Sequence, residues 1–254
     1  MFVRHRIFNQ SNGRMSLASA SGIIGGIKEY TYRGIQQLPI VLASTSLIYT
    51  MATGSIAHLN ILLGMGILAP IYTLAMQQIL RLVVPQSHLW WRRASNESCN
   101  LVSTRPSSSL AIFSDEKSVA GDAVPSYWLT SVAFFIGYTV SNAVDCLQAP
   151  ADPNANEVNY DKRNAQATIV LVTLSIFFLC IIGFRLFYMG GCEGTGAGGI
   201  IAGLVIASGA GYGGKTMYDL SKVCGARSSD LFGILSQILP AASQAPKPIV
   251  CTSS

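Results

Sequence analysis

Long uninterrupted runs of apolar residues alternate with polar segments along the chain and predict membrane-spanning helices. The first two runs, residues 38–57 and 59–80, are separated by one short turn, and three more follow at 127–147, 168–190 and 194–214. Each run has about twenty residues, enough for an α-helix rising about 1.5 Å per residue to cross a hydrocarbon layer of about 30 Å. The pattern therefore predicts an all-α fold, a multi-pass transmembrane helical bundle with four to five spans.

The polar segments divide the chain into five regions. These are a basic N-terminal tail (1–37), a transmembrane hairpin (38–84), a polar loop rich in Ser and Pro (85–125), transmembrane helices that include a Gly-rich segment (126–214), and a C-terminal tail with short amphipathic helices (215–254). Pro70 lies in the middle of the second run. A membrane helix tolerates such a proline where a neighbouring helix satisfies the carbonyl group that loses its partner.

Four consecutive residues of the polar loop predict an anchor at the membrane surface. Trp90 and Trp91 are followed directly by Arg92 and Arg93. Indole rings concentrate at the headgroup level of a bilayer, and the charged groups beside them reach the water. We therefore expect these four residues to form an interfacial anchor.

The apolar residues of the C-terminal tail predict a docking helix. Leu231, Phe232, Leu235 and Ile238 fall within one short segment, which Pro240 ends. A short helix with so many apolar side chains does not stay free in water. We expect it to dock on a partner protein, on its own bundle or on the membrane surface.

Composition supports a membrane protein and argues against a nucleic-acid-binding one. Half of the 254 residues are hydrophobic and only 11% are charged, whereas a soluble domain carries about 25% charged residues. The net charge of +5 is not gathered into the dense basic stripe that nucleic-acid binding requires. The expected partners are therefore the lipid bilayer and other membrane proteins, with no nucleic acid.

The cysteine and histidine pattern argues against a metal site and against an active site. None of the six Cys residues forms a C-x-x-C pair or stands at zinc-finger spacing from one of the three His residues. No Ser-His-Asp or Cys-His arrangement stands out. We expect no catalytic, cofactor-binding or metal-binding residues, no cofactor and no small-molecule substrate, and hence a protein that is not an enzyme. Whether loop cysteines form a disulfide stays open, and so does the redox compartment.

Two glycine patterns resemble nucleotide-binding motifs. Residues 209–216, GAGYGGKT, match the phosphate-loop pattern G-x-x-x-x-G-K-[ST], and Gly194, Gly196 and Gly199 match G-x-G-x-x-G. A phosphate loop follows a strand and lies within an α/β domain. Only 38 residues follow Thr216, too few for the remaining strands of such a domain. The context therefore favours helix packing over nucleotide binding.

The same glycines fit a spacing that packs helices together in lipid. Gly199 and Gly203 are four residues apart, and so are Gly209 and Gly213. Small residues at this spacing allow two helix backbones to approach closely. We predict that these four glycines are helix-packing residues. Whether the segment 194–214 spans the membrane fully stays open, because its hydropathy favours a span and the flanking charges disfavour one.

The distribution of Lys and Arg residues indicates an orientation. Most of them lie in the N-terminal tail, in the loop after the second run and at the end of the fourth run, and the positive-inside rule places that side in the cytosol. The glycosylation sequons at Asn9 and Asn96 would then stay unmodified. Arg185 is expected to extend toward the headgroups, and Asp145 to lie at the opposite face of the membrane.

Two segments are similar to parts of viral membrane proteins. Residues 46–66, SLIYTMATGSIAHLNILLGMG, and residues 221–240, SKVCGARSSDLFGILSQILP, resemble segments of multi-pass membrane proteins of large icosahedral double-stranded DNA viruses, the algal chloroviruses and their relatives. The resemblance implies a structural component of the virion inner membrane, or a minor capsid protein, that links the membrane to the capsid shell and has other capsid proteins as partners. It supplies no active-site residues. The alternative is a transporter, a channel or an accessory subunit of an organellar membrane complex.

Overall fold

The described part of the protein is mainly helical. In this computed structural model the described residues are 30–84, 99, 124–148, 157–188, 192–194, 196–223 and 231. No strand occurs among them. The all-α fold predicted from the sequence is therefore confirmed for these residues.

Two helices at the start of the described chain form a bent pair. Helix α1 covers Tyr30–Gln36 and helix α2 covers Leu38–Thr53, with an angle of 64° between them. Pro39 lies in the first turn of α2. Backbone N–H groups in that turn have no partner within the helix, so the missing N–H group of Pro39 costs no hydrogen bond. Gly54 ends α2 in the left-handed conformation (φ 65°), which glycine adopts without a steric penalty.

The second span is one long helix with a local break around Pro70. Helix α3 (Ile56–Leu63) passes through a π-helical turn (Gly64–Leu68) into helix α4 (Ala69–Val83). In the π-helical turn a carbonyl accepts a bond from the N–H group five residues later, as Gly64 does from Ala69. The next carbonyl, that of Met65, would pair with Pro70, which has no N–H group.

The hydroxyl group of Tyr127 replaces that missing donor. It donates a hydrogen bond of 2.8 Å to the carbonyl oxygen of Met65. Tyr127 opens helix α5 (Tyr127–Gln148), so the neighbouring helix satisfies the carbonyl group that the proline leaves free. This arrangement is the one that the sequence position of Pro70 requires.

Helix α5 lies at the centre of the bundle and contacts α2, α4, α6 (Glu157–Tyr188) and α7 (Gly196–Val223). Trp128, Val132, Phe134 and Tyr138 on this helix are almost completely buried. Several of its polar residues are fully buried as well, including Thr130. The Thr130 hydroxyl group lies 2.6 Å from the hydroxyl group of Thr73 on α4, and either group can be the hydrogen-bond donor.

Two further long helices complete the bundle. Helix α6 covers Glu157–Tyr188 and helix α7 covers Gly196–Val223. The Gly-rich segment is therefore one continuous helix of 28 residues. The region boundary placed at residue 214 lies inside α7, so the first residues of the predicted C-terminal tail, 215–223, are the last turns of this helix.

Three helices are long and apolar enough to cross a membrane. They are Ile56–Val83, Asn164–Phe187 and Gly196–Val223, and the bent pair of α1 and α2 makes a fourth if it counts as one span. Helix α5 has the length but is not among these candidates, and several of its polar residues are buried against other helices. Three spans are thus supported by length and composition, while four to five stays a prediction.

Replacing Tyr127 by Phe removes only the hydroxyl group that bonds the Met65 carbonyl. We expect the Tyr127→Phe variant to lose stability in detergent by about 0.6 kcal/mol and by no more than about 1.7 kcal/mol, the range measured for hydrogen bonds between membrane helices. The matched control is Tyr212→Phe, because the Tyr212 side chain is exposed on α7. Equal midpoints of unfolding by a denaturing detergent for both variants and the unmodified protein would contradict this role of Tyr127.

Candidate functional site

One stripe of small residues on α7 faces the rest of the bundle. Its buried residues recur at intervals of four, four and three positions, and they are Gly199, Gly203, Ala207, Ala210, Gly214, Tyr218 and Ser221. This eleven-residue repeat corresponds to about 3.67 residues per turn, close to the helix's own period, so the stripe stays on one face over the full length. The stripe is the surface through which α7 packs.

The backbones of α5 and α7 touch where both helices carry glycine. A Cβ atom on Gly137 of α5 would collide with the backbone of Gly211 on α7, and one on Gly211 would lie 3.2 Å from the carbonyl oxygen of Ala133. A Cβ atom on Gly214 would collide with the carbonyl oxygen of Phe134 and lie 2.9 Å from the nitrogen of Tyr138. No side chain larger than hydrogen fits at Gly137 or Gly214 without moving a helix.

The four predicted packing glycines divide into two groups. Gly199 and Gly203 are buried on the stripe, where a Cβ atom on Gly203 would lie 3.0 Å from the carbonyl oxygen of Glu193. Gly209 lies outside the stripe and makes room for the hydroxyl of Tyr72 on α4, which donates to the carbonyl of Ile206 at 2.7 Å. Gly213 has no atom within 4 Å of its Cβ position.

The second predicted pair, Gly209 and Gly213, therefore lies one residue before the buried positions on α7. Ala210 and Gly214, rather than Gly209 and Gly213, are buried, and Gly214 faces the α5 backbone. In a segment where small residues stand at almost every position, four-residue spacing alone does not identify the buried face. The neighbouring helix selects it.

The nucleotide-like patterns have structural explanations in this fold. Gly209–Thr216 lies inside the continuous helix α7, so its backbone N–H groups are directed along the helix and not into a phosphate-binding loop. Gly194 and Gly196 have φ angles of 139° and 73°, which other residues rarely adopt. A Cβ atom on Gly194 would lie 2.5 Å from the Gly199 backbone. The second pattern is therefore a tight turn that leads into α7.

A buried ion pair holds that turn against α6. The Nε atom of Arg185 donates to Oε1 of Glu193 at 3.0 Å, and both side chains are 1% exposed. The guanidinium group also lies 4.9 Å from the ring centroid of Trp128, within the range of a cation–π interaction. Trp128 in turn donates from Nε1 to the carbonyl oxygen of Ile35 at 2.7 Å. The expectation that Arg185 extends to the headgroups is wrong, because Glu193 and Trp128 hold it inside the protein.

A disulfide lies next to this ion pair. Cys99, from the polar loop, bonds to Cys192, and both residues are buried against Tyr32, Ile35 and Phe184. The Nη2 atom of Arg185 lies 3.5 Å from the carbonyl oxygen of Cys99. We call this part of the bundle, which contains the start of α5 and α7 and the end of α6, the disulfide end.

The opposite end of the bundle has its own charged contact. The hydroxyl of Tyr218 donates to Oδ2 of Asp145 at 2.9 Å, and Nζ of Lys222 lies 2.6 Å from Oδ1 of the same carboxylate. These contacts join the ends of α5 and α7, so the two helices run in parallel. Asp145 and Arg185 are at opposite ends of the bundle, as expected from the sequence.

An apolar cleft of about 740 Å³ opens between the α3–α4 span and α7. Gly209, Gly213 and Leu220 line it on α7, and Ile71 and Tyr72 line it on α4. The glycines that lie outside the buried stripe therefore form the wall of a cleft.

The remaining predicted residues are only partly covered by the structure. Leu231 is half-buried and packs against the core cluster of Ile61, Met65, Phe134, Tyr138 and Tyr218, which is contact with its own bundle. The other residues assigned to docking, Phe232, Leu235 and Ile238, lie outside the described residues. The same is true of the anchor residues Trp90, Trp91, Arg92 and Arg93.

Metal ligation and similarity to known proteins give no further guide to function. Among the residues that the structure describes, no three His, Cys, Asp or Glu side chains are grouped to hold a metal ion. No protein-family model matches the chain, and comparisons with curated proteins and with solved structures found no similar protein.

Two adjacent glycines provide a matched test of the α5–α7 contact. We expect Gly214→Leu to prevent recovery of a folded, monodisperse protein in detergent, because the new side chain collides with the α5 backbone. Gly213→Leu makes the same change one residue earlier, in open space, and we expect it to behave like the unmodified protein. Size-exclusion chromatography measures the yield, and similar yields for both variants would exclude close packing at Gly214.

A second pair of variants tests the buried ion pair. Glu193→Gln leaves the Arg185 charge buried without its counter-ion, a change that typically destabilises a protein by about 3–5 kcal/mol. Asp219→Asn breaks the exposed Lys215–Asp219 pair on α7, where solvent screens the charges, and should leave the unfolding midpoint unchanged.

A double variant separates the ion pair from local packing. Arg185→Met combined with Glu193→Met removes both charges and should recover most of the lost stability. Failure of this rescue would mean that the effect of Glu193→Gln comes from packing and not from the unpaired charge.

Proposed function

We propose that this chain is a structural, non-enzymatic integral membrane protein that assembles with partner proteins at the membrane. The observation that carries the proposal is the position of α5, which occupies the axis of the bundle. Its inner positions are filled by Trp128, Val132, Phe134 and Tyr138, all at most 2% exposed. A helix packed in this way leaves no room along the axis for an aqueous path, and this favours a scaffold over a channel.

The contacts between helices also favour a rigid scaffold. Helices α5 and α7 touch through their backbones, and a charged contact joins them at the opposite end. A buried ion pair and a disulfide link α6, the turn before α7 and the polar loop at the disulfide end. Transport by alternating access needs elements that move against one another, whereas these contacts hold the helices in one arrangement.

The proposed topology has five spans. They are the bent pair α1–α2, the broken helix α3–α4, α5, α6 and α7. Helix α5 has 22 residues, about 33 Å of helix, and runs in parallel with α7. A helix at the centre of a bundle needs less apolar surface than one in contact with lipid, so its moderate hydropathy is consistent with a span.

The proposed location is the inner membrane of a virion, where the chain would link the lipid layer to the capsid shell as an inner-membrane or minor capsid component. This part of the proposal rests on the resemblance of residues 46–66 and 221–240 to viral membrane proteins. The partners would be other capsid or membrane proteins. Because a five-span chain has its two tails on opposite sides of the membrane, the basic N-terminal tail and the apolar segment after Leu231 are proposed to contact partners on different sides.

A second candidate function is the transport or binding of an apolar ligand. The cleft beside Gly209 and Gly213 favours it, since its volume of about 740 Å³ lies within the usual range for small-molecule sites and its walls are mainly apolar. An accessory subunit of an organellar membrane complex would use the same surface to contact a helix of its complex. Ligand-dependent or ion flux in liposomes containing only the purified chain would favour transport over the structural role.

Truncation tests the docking role of the C-terminal tail. We expect a chain cut after Gly225 to insert into membranes normally but to lose its co-purifying partners. The matched control is a chain cut after Pro240, which keeps the apolar segment and should retain them. Because Leu231 also packs on the bundle, a Leu231→Ala variant shows whether any loss follows from a less stable bundle. Equal partner recovery after both cuts would remove the docking role.

A further inference from the structure

The disulfide between Cys99 and Cys192 bears on which side of the membrane the disulfide end faces. Cys99 and Cys192 are 93 residues apart and come from the two described segments that connect helices at this end. Structural disulfides persist in oxidising compartments and are rare where the cytosolic thiol systems keep cysteines reduced. The pairing therefore bears on orientation independently of the charge distribution.

The environment of the disulfide is that of a structural crosslink. Cys99 is 5% exposed and Cys192 is 2% exposed, and aromatic side chains pack around them. Cys192 is followed directly by Glu193, whose carboxylate is the counter-ion of the buried Arg185. The carbonyl of Cys99 lies beside the same guanidinium group. The disulfide thus links the two segments that supply the partners of the buried Arg185 guanidinium group, the Glu193 carboxylate and the carbonyl oxygen of Cys99.

We propose that the disulfide end faces an oxidising compartment and that the opposite end faces the reducing one. In a five-span chain this places the N-terminal tail and the polar loop 85–125 on the oxidising side. It places the loop between α5 and α6 and the C-terminal tail on the reducing side. The orientation is the reverse of the one that the positive-inside rule gave.

The charge distribution opposes this orientation only weakly. The rule applies to Lys and Arg within about 15–20 residues of a membrane helix, and Arg4, Arg6 and Arg14 precede α1 by sixteen residues or more. Arg185 is paired with Glu193 inside the bundle and therefore does not count as a charge at the membrane surface. The charges that remain close to helix ends divide nearly evenly, with Lys28, Arg33, Arg81, Arg92, Arg93 and Lys117 on one side and Lys162, Arg163, Lys215, Lys222 and Arg227 on the other.

A native sequon makes the orientation measurable. Asn96, Glu97 and Ser98 form an acceptor site directly before Cys99, so the site shares the side of the disulfide. When the full chain is inserted into endoplasmic-reticulum microsomes, we expect a glycosidase-sensitive shift in gel mobility. Combining Asn9→Gln with Asn96→Gln should abolish it. The matched control is Ala241→Asn in that double variant, which creates a sequon before Ala242 and Ser243 and should stay unmodified. Glycosylation at position 241 without glycosylation of the native sites would overturn the proposal.

Thiol labelling gives a second test that can refute the orientation if neither site is modified. The chain is prepared with Cys146, Cys180, Cys224 and Cys251 replaced by Ala, so that only Cys99 and Cys192 remain. In sealed microsomes we expect no reaction with a membrane-impermeant maleimide, with or without an impermeant reductant. After permeabilisation, denaturation and reduction, both cysteines should react. Reaction in sealed vesicles, under either condition, would place the two cysteines on the cytosolic side and refute the proposed orientation.

Discussion

Direct contact between the backbones of α5 and α7 is the constraint on which the rest of the bundle depends. Lipid tails are as apolar as the side chains of a membrane helix, so burial from water does not draw helices together. Packing contacts must do so, and they strengthen as the backbones approach. Gly137, Gly211 and Gly214 permit that approach because none of them has a side chain in the interface. Helices α2, α4 and α6 also contact α5, and α3 contacts α7.

The same absence of water explains where the charges lie. A carboxylate or guanidinium group inside the bundle must find a partner within the protein. Arg185 pairs with Glu193 at the disulfide end, where both side chains are buried, and the partly exposed Asp145 pairs with Tyr218 and Lys222 at the opposite end. Both contacts lie near helix ends, and the Asp145 contact joins segments that are distant in sequence. They define the relative positions of α5, α6 and α7 more specifically than apolar packing does, which suits a protein whose proposed role is to hold its partners in place.

The distribution of polarity among the helices also bears on function. Helix α6 contacts few other helices, presents many large apolar side chains, and is the most apolar of the three candidate spans. Helix α5 is more polar and more deeply buried. In a transporter or a channel, a polar central helix usually lines a path for the substrate. Here the inner positions of α5 are filled by aromatic and branched side chains, and Thr130 bonds to Thr73 on the neighbouring helix. The polar side chains of α5 therefore make contacts between helices.

The sequence by itself determined the helical class, the approximate helix positions and the need for a donor near Pro70, because these depend on local composition and on the length of apolar runs. It also identified Gly199 and Gly203 on the packing face. It did not separate Gly209 and Gly213 from Ala210 and Gly214, since small residues fill both faces and only the position of α5 chooses between them. Nor did it pair Arg185 with Glu193 or Cys99 with Cys192. Cys99 and Cys192 meet only when the helices pack, and Arg185 and Glu193, which are close in sequence, pair because the turn before α7 folds back onto α6, so tertiary structure decided both contacts.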